Sequence, residues 1–142
     1  MRPEIFGTQD RRLRADIVRL CRRLTRDFKP DAATVNVIFV TDRQIHALNR
    51  QFLKRDRPTN VISFDCREPR LPGEPRLLGE VYVSRDRARA QAREYGVSYA
   101  AELRRLVLHG LLHLLGLTHR KMEPLYRKYL QPDRGHGARN IE

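Results

Sequence analysis

Residues 106–117 are the feature that most restricts how this chain can fold. In LVLHGLLHLLGL, every residue except two histidines and two glycines is leucine or valine. A helix that is apolar on all sides is stable only when other elements surround it, so we expect a buried helix here. Ser98 is a good N-cap for that helix, and Gly116 can adopt the left-handed conformation that ends one.

Three of the five histidines lie in or just after this run, at positions 109, 113 and 119. His109 and His113 are four residues apart, so both project from one face of a helix. A chain reversal at Gly116 can bring His119 to the same point. Three neutral imidazoles with an open fourth position form a catalytic zinc site. A pair of hydrogen-bonded core histidines, with His119 on the surface, is the alternative, but the spacing around a turn glycine favours one Zn²⁺ ion.

The spacing H-x-x-x-H-x-x-G-x-x-H is also typical of zinc peptidases that carry a glutamate base after the first histidine. Gly110 occupies that position. Its presence disfavours a peptidase, because peptide hydrolysis needs a proton shuttle to the leaving nitrogen. Phosphodiester cleavage depends more on neutralising charge, which zinc and arginines can do. A metallopeptidase-like hydrolase stays open as an alternative, with Glu80 or Glu123 as its base.

The charge of the chain favours a polyanionic partner. There are 29 basic residues against 17 acidic ones, which gives a net charge of +12. Only four of the basic residues are lysines, and arginine binds phosphate through a planar fork. Nucleic acid is the commonest partner of such a chain. The two cysteines suggest neither a disulfide framework nor a metal spacing, so we expect a cytoplasmic protein. No apolar stretch approaches 18 residues, so we expect no membrane segment. We also expect no organic cofactor.

The remaining segments predict alternating strands and helices. Strands are expected over 3–8, 33–41, 60–65 and 77–84, the third being buried and antiparallel to the fourth. Asp10, Thr41 and Ser84 suit helix N-caps, and a last amphipathic helix is expected over 122–130. The fold class is therefore α+β: one domain over residues 1–131, with a mixed, four-stranded sheet packed against about five helices. We expect a loop over 68–76 and a flexible tail over 132–142.

Three segments together resemble one protein family. HGLLHLLGLTH (109–119) resembles the signature of the YbeY family of bacterial endoribonucleases, H-G-x-L-H-L-x-G-[aromatic or apolar]-D-H. ALNRQFLKRDRPTNVISFD (47–65) resembles its block L-N-x-x-[YF]-R-x-x-D-x-P-T-D-V-L-S-F, and LLGEVYVS (77–84) resembles its strand L-G-D-I-x-I-S. The resemblance covers roughly residues 3–130, and the order of the blocks is that of the family.

The resemblance implies a zinc-dependent endoribonuclease that acts on single-stranded RNA. It implies maturation of the 3′ end of small-subunit rRNA, a role in ribosome quality control, and contact with the small subunit and its proteins. The zinc ligands would be His109, His113 and His119. The residues implied at the base of the same cleft are Pro58, Thr59, Asn60, Ser63 and Phe64.

The chain departs from the family pattern at four positions. Thr118 and Asn60 replace aspartates, and Glu80 replaces the aspartate of L-G-D. Leu53 occupies the place of an arginine that the family is taken to use on the scissile phosphate. We expect Lys54 or Arg50 to substitute for that arginine, with Glu80 as a candidate for proton transfer. A non-catalytic ribosome-binding factor with structural zinc is therefore a further alternative.

The remaining candidates are basic or aromatic residues near these motifs. The cluster KRDRPT (54–59) leads into the strand that should face the cleft. This position favours RNA contacts over an exposed helix end with no functional role. Tyr126 and Tyr129 are expected to pack in the core rather than to stack on bases. Two interpretations stay open for Arg104, Arg105 and Lys121: they are solvated surface residues, or they contact RNA. The predicted RNA-binding residues are Arg55, Arg57, Thr59, Asn60, Ser63 and Arg120.

Overall fold

The computed structural model of the chain describes residues 1–67, 73 and 76–131. The strands are β1 (Arg2–Phe6), β2 (Thr34–Val40), β3 (Val61–Asp65) and β4 (Leu77–Ser84). The helices are α1 (Arg11–Phe28), α2 (Asp42–Leu53), α3 (Arg85–Tyr95), α4 (Tyr99–Leu114) and α5 (His119–Leu130). This confirms the predicted α+β class, with a mixed sheet of four strands and five helices. The predicted tail, and the predicted loop except residues 73 and 76, lie outside the described residues.

The strand order in the sheet is β1-β2-β4-β3. Strand β1 is parallel to β2, and β2 is parallel to β4, whereas β3 runs antiparallel to β4 as predicted. The prediction that β3 is buried was wrong, because Ile62 is its one fully buried residue. Strand β3 forms an edge of this sheet, so a neighbouring strand covers it from one side.

Helices pack on both faces of the sheet. On one face, Val81 and Val83 of β4 join the main core with residues of α1 and α4. On the other face, Ile62 packs with Ile45 of α2, and the partly buried Phe64 and Tyr82 lie against them. Because side chains alternate along a strand, the sheet separates α2 from α4. Every described residue of α4 from Leu106 to Leu114, apart from the two histidines, is buried, as the apolar run predicted.

Local sequence signals set the helix boundaries. Asp10, Ser84 and Ser98 cap α1, α3 and α4, and Thr41 forms a capping box with Gln44. Helix α5 begins at 119 rather than at the predicted 122, because the Thr118 side chain accepts a hydrogen bond from the Lys121 N–H. Cys21 and Cys66 are not joined by a disulfide bond. Among the described helices, none combines the length and the apolarity needed to cross a membrane.

Candidate metal centre

A tight connection between α4 and α5 brings the three histidines together. His109 and His113 lie one turn apart on α4, which ends at Leu114. Gly116 follows with a φ of 86°, in the left-handed region that favours glycine. The chain then reverses, and Thr118 caps α5 so that His119 is its first residue. The structure therefore provides the chain reversal that the sequence predicted at Gly116.

The imidazole nitrogens of the three histidines converge on one point. One ligand atom from each ring lies within 4.8 Å of the others, and the Nε2 atoms of His109 and His113 are 3.1 Å apart. Two nitrogens bound tetrahedrally to one zinc ion, at about 2.0–2.1 Å each, lie about 3.3 Å apart. The group fits a small metal ion, and among the described residues it is the one cluster of three such ligands.

The surroundings of His109 and His113 favour the uncharged form that binds a metal. Burial, and then the neighbouring His113 and His119, lower the pKa of His109 to about 4. Burial, and then His119, also lower the pKa of His113. Both rings are therefore neutral near pH 7, with a lone pair free for a cation.

Tyr126 supports His109 from behind. Its hydroxyl contacts the Nδ1 atom of His109, and the two rings are stacked with centroids 6.2 Å apart. The same hydroxyl lies 3.8 Å from the Met122 sulfur. If Nδ1 donates its hydrogen to Tyr126, the Nε2 lone pair faces His113 and the shared point. Tyr126 packs against the core as predicted, and its helical spacing in the sequence carried no signal of this contact.

Gly110 faces the sheet and not the histidine cluster. A Cβ atom there would lie 2.4 Å from Cγ1 of Val81 and 3.1 Å from Oγ of Ser63. The Ser63 hydroxyl also donates a hydrogen bond to the Gly110 carbonyl over 3.0 Å. Where the peptidase pattern has a glutamate, this chain has a glycine that allows α4 to pack closely on β3 and β4.

The comparisons with known proteins agree with this arrangement. The sequence model of the family described as endoribonuclease YbeY matches residues 4–130. The chain belongs to this family. It is 41% identical to the endoribonuclease YbeY of Syntrophotalea carbinolica, over 72% of this chain and 69% of the relative. It is 45% identical to that of Chloroflexus aurantiacus, over 63% of this chain and 62% of the relative.

A further relative and a solved structure extend this likeness. The endoribonuclease YbeY of Anaeromyxobacter dehalogenans is 42% identical over 78% of this chain and 54% of its own length. The chain thus spans between about half and about two thirds of these relatives. A solution structure of a protein from Thermotoga maritima is 30% identical, with a TM-score of 0.63, over 90% of this chain and 86% of that one.

The predicted cleft residues are divided between the two sides of β3. Ser63 lies beside α4 through its bond to Gly110, one residue from His109. Phe64 lies on the opposite face, with its ring centroid 5.5 Å from that of Phe52. Glu80 is on that opposite face too, where it accepts hydrogen bonds from Asn36 and Tyr82. The structure therefore does not bring Phe64 or the Glu80 carboxylate to the α4 side, where the histidines lie.

The predicted basic residues lie at the end of α2 and at the start of α5. Residues 50, 54, 55 and 57 are exposed, and residues 58–60 are partly exposed. The buried Asn49 holds this segment through two hydrogen bonds. Its side-chain Nδ2 donates to the Arg57 carbonyl over 2.7 Å, and its backbone carbonyl accepts from the Arg55 N–H. Arg120 and Lys121 are exposed in the first turn of α5, beside His119.

Arg104 and Arg105 are engaged within the fold. Arg104 pairs with Asp16 of α1 over 3.2 Å. Arg105 forms two hydrogen bonds, of 3.0 and 2.6 Å, with the buried Glu102. Tyr129 is buried as predicted, and its hydroxyl donates to Asp27 over 2.5 Å.

Proposed function

We propose that this chain is a zinc-dependent endoribonuclease that cleaves single-stranded RNA in the cytoplasm. The convergence of His109, His113 and His119, in a chain of the YbeY family, carries the proposal. We place its action in maturation of the small-subunit rRNA 3′ end and in ribosome quality control. Its partners there would be the small subunit and its proteins. The net charge of +12 supports an RNA substrate.

The three imidazoles would hold the ion, with Tyr126 orienting His109. Zinc bound there supplies Lewis-acid chemistry toward a phosphodiester. Arg50 and Lys54 take the place of the arginine absent at position 53 as phosphate contacts, and Arg55, Arg57 and Arg120 attract the RNA backbone. Ser63 fixes β3 against α4, and Thr59 and Asn60 lie just before that strand.

Glu80 is the weakest of the catalytic candidates. Its carboxylate is held by Asn36 and Tyr82 on the face of the sheet away from α4. The same placement disfavours the metallopeptidase alternative, which needs a base near the metal. Its other candidate, Glu123, lies in α5 and is exposed.

The test is cleavage of a labelled single-stranded RNA by metal-loaded protein, compared with a peptide substrate. His113→Ala should lose both the metal and RNA cleavage, whereas Phe6→Ala should keep both. Phe6 is a suitable control because it is exposed on β1, at the edge of the sheet opposite β3. If metal-loaded protein binds small subunits but cleaves no RNA, the nuclease proposal fails and a non-catalytic ribosome-binding factor takes its place.

A further inference from the structure

The end of α2 presents two large apolar side chains to solvent. Phe52 is 53% exposed and Leu53 is 43% exposed. Ile45 and Leu48 of the same helix belong to a core cluster on the sheet, whereas Phe52 does not. Exposed aromatic and aliphatic groups side by side are typical of a surface that a ligand or partner covers.

The Phe52 ring is held in a defined position. It meets Phe64 edge-to-face, with centroids 5.5 Å apart and planes at 72°. Phe64 meets Tyr82 in the same way, at 5.8 Å and 80°. An edge-to-face contact with Phe64 covers at most one face of the Phe52 ring, and Phe52 is about half exposed to solvent. A flat, fixed, open aromatic face is what a nucleobase stacks on.

Four basic residues lie close to Phe52 in the sequence, near the end of α2 and just after it. Arg50, Lys54, Arg55 and Arg57 are exposed, and none forms an ion pair with another described residue. The acidic residue among them, Asp56, is bonded to His46 over 2.8 Å. Asn49 fixes the backbone of this segment, and Lys54 adopts a left-handed conformation with φ 59°. The backbone that carries Lys54, Arg55 and Arg57 is therefore held in a defined conformation.

We propose that Phe52 and Leu53, with these four cations, form a surface that binds single-stranded RNA, a base stacking on Phe52 and the flanking phosphates contacting the cations. The proposal rests on the proposed function and adds base contacts to it. Charge complementarity selects a polyanion as the occupant. Strand β3 lies between this surface and α4: Phe64 contacts Phe52 from one side, and Ser63 bonds Gly110 from the other.

The test is RNA binding by metal-free protein, in which cleavage does not interfere. Phe52→Ala should weaken binding of a labelled single-stranded oligoribonucleotide by about 5-fold or more, and Phe52→Trp should keep it. The matched control is Phe6→Ala, because Phe6 is 52% exposed but lies on β1, at the opposite edge of the sheet. Equal weakening by the two alanine variants would overturn the proposal.

Tryptophan fluorescence gives a second readout that does not depend on the stability of the alanine variant. The chain contains no tryptophan, so Phe52→Trp and Phe6→Trp each carry a single one. Saturating RNA should quench the emission at position 52 and leave that at position 6 unchanged. An unchanged emission at 52 would refute stacking, while RNA cleavage by the wild type would still support the proposed function. A wild type that binds no RNA would refute the proposed function itself.

Discussion

The Tyr126 hydroxyl contacts Nδ1 of His109, on the side of the ring away from the nitrogen that faces His113. This contact favours the tautomer whose Nε2 lone pair points at the shared site. Partners of this kind typically account for 10–100-fold in metal affinity.

We therefore expect Tyr126→Phe to weaken zinc binding about 10- to 100-fold, as measured by competition with a chromophoric chelator. Tyr82→Phe is the matched control, because its hydroxyl donates to Glu80 on the other face of the sheet. Equal zinc affinity in the Tyr126 variant and the wild type would show that the contact does not orient His109.

Gly110 should be intolerant of a side chain, although alanine is the better helix former. A Cβ atom would overlap Cγ1 of Val81, and such overpacking costs about 1–3 kcal/mol. Urea unfolding of metal-free Gly110→Ala should show this loss. In the double variant with Val81→Ala, the combined loss should be smaller than the sum of the two single losses. If the two losses in free energy of unfolding are additive, the overlap with Val81 is not the cause of the destabilisation.

Stability of the metal-free protein should depend on pH through His109. Its pKa is lowered to about 4 by burial and neighbouring rings, whereas an unfolded histidine titrates near 6.5. Between these values the unfolded chain binds a proton that the folded chain does not, so the free energy of unfolding falls as pH drops from about 6.5 to about 4. Urea unfolding across this range should show a shallower fall in His109→Gln. If the free energy of unfolding falls equally steeply with pH in both proteins, His109 is not the source of this pH dependence.

Leu53→Arg should strengthen RNA binding. Leu53 is exposed at the last residue of α2, where a positive charge is compatible with the helix dipole. One added phosphate contact steepens the dependence of log affinity on log salt by about 0.7 for single strands. Leu53→Gln is the uncharged control, and binding titrations at several salt concentrations measure the difference. An unchanged slope would mean that position 53 is out of reach of the RNA backbone.

Local signals explain why much of the fold was predictable. Capping residues such as Thr41 and Ser98 act within one helical turn, so the sequence marks helix starts directly. The convergence of the histidines also follows from local rules, namely a four-residue spacing and a left-handed glycine.

Features that depend on packing between distant segments were not predictable. The apolar run of β3 does not reveal that the strand lies at an edge. The contact of Tyr126 with His109 depends on how α5 lies against α4, and a tyrosine at helical spacing is equally typical of a core. The exposure of Phe52 likewise depends on how α2 packs against the sheet.

We propose that the three histidines hold a zinc ion which the protein needs to cleave RNA. The most direct measurement is zinc content by mass spectrometry together with single-stranded RNA cleavage, on the wild type and on His113→Ala. We expect about one zinc ion per chain and cleavage in the wild type, and loss of both in the variant. Cleavage by a zinc-free His113→Ala protein that folds normally would contradict the account.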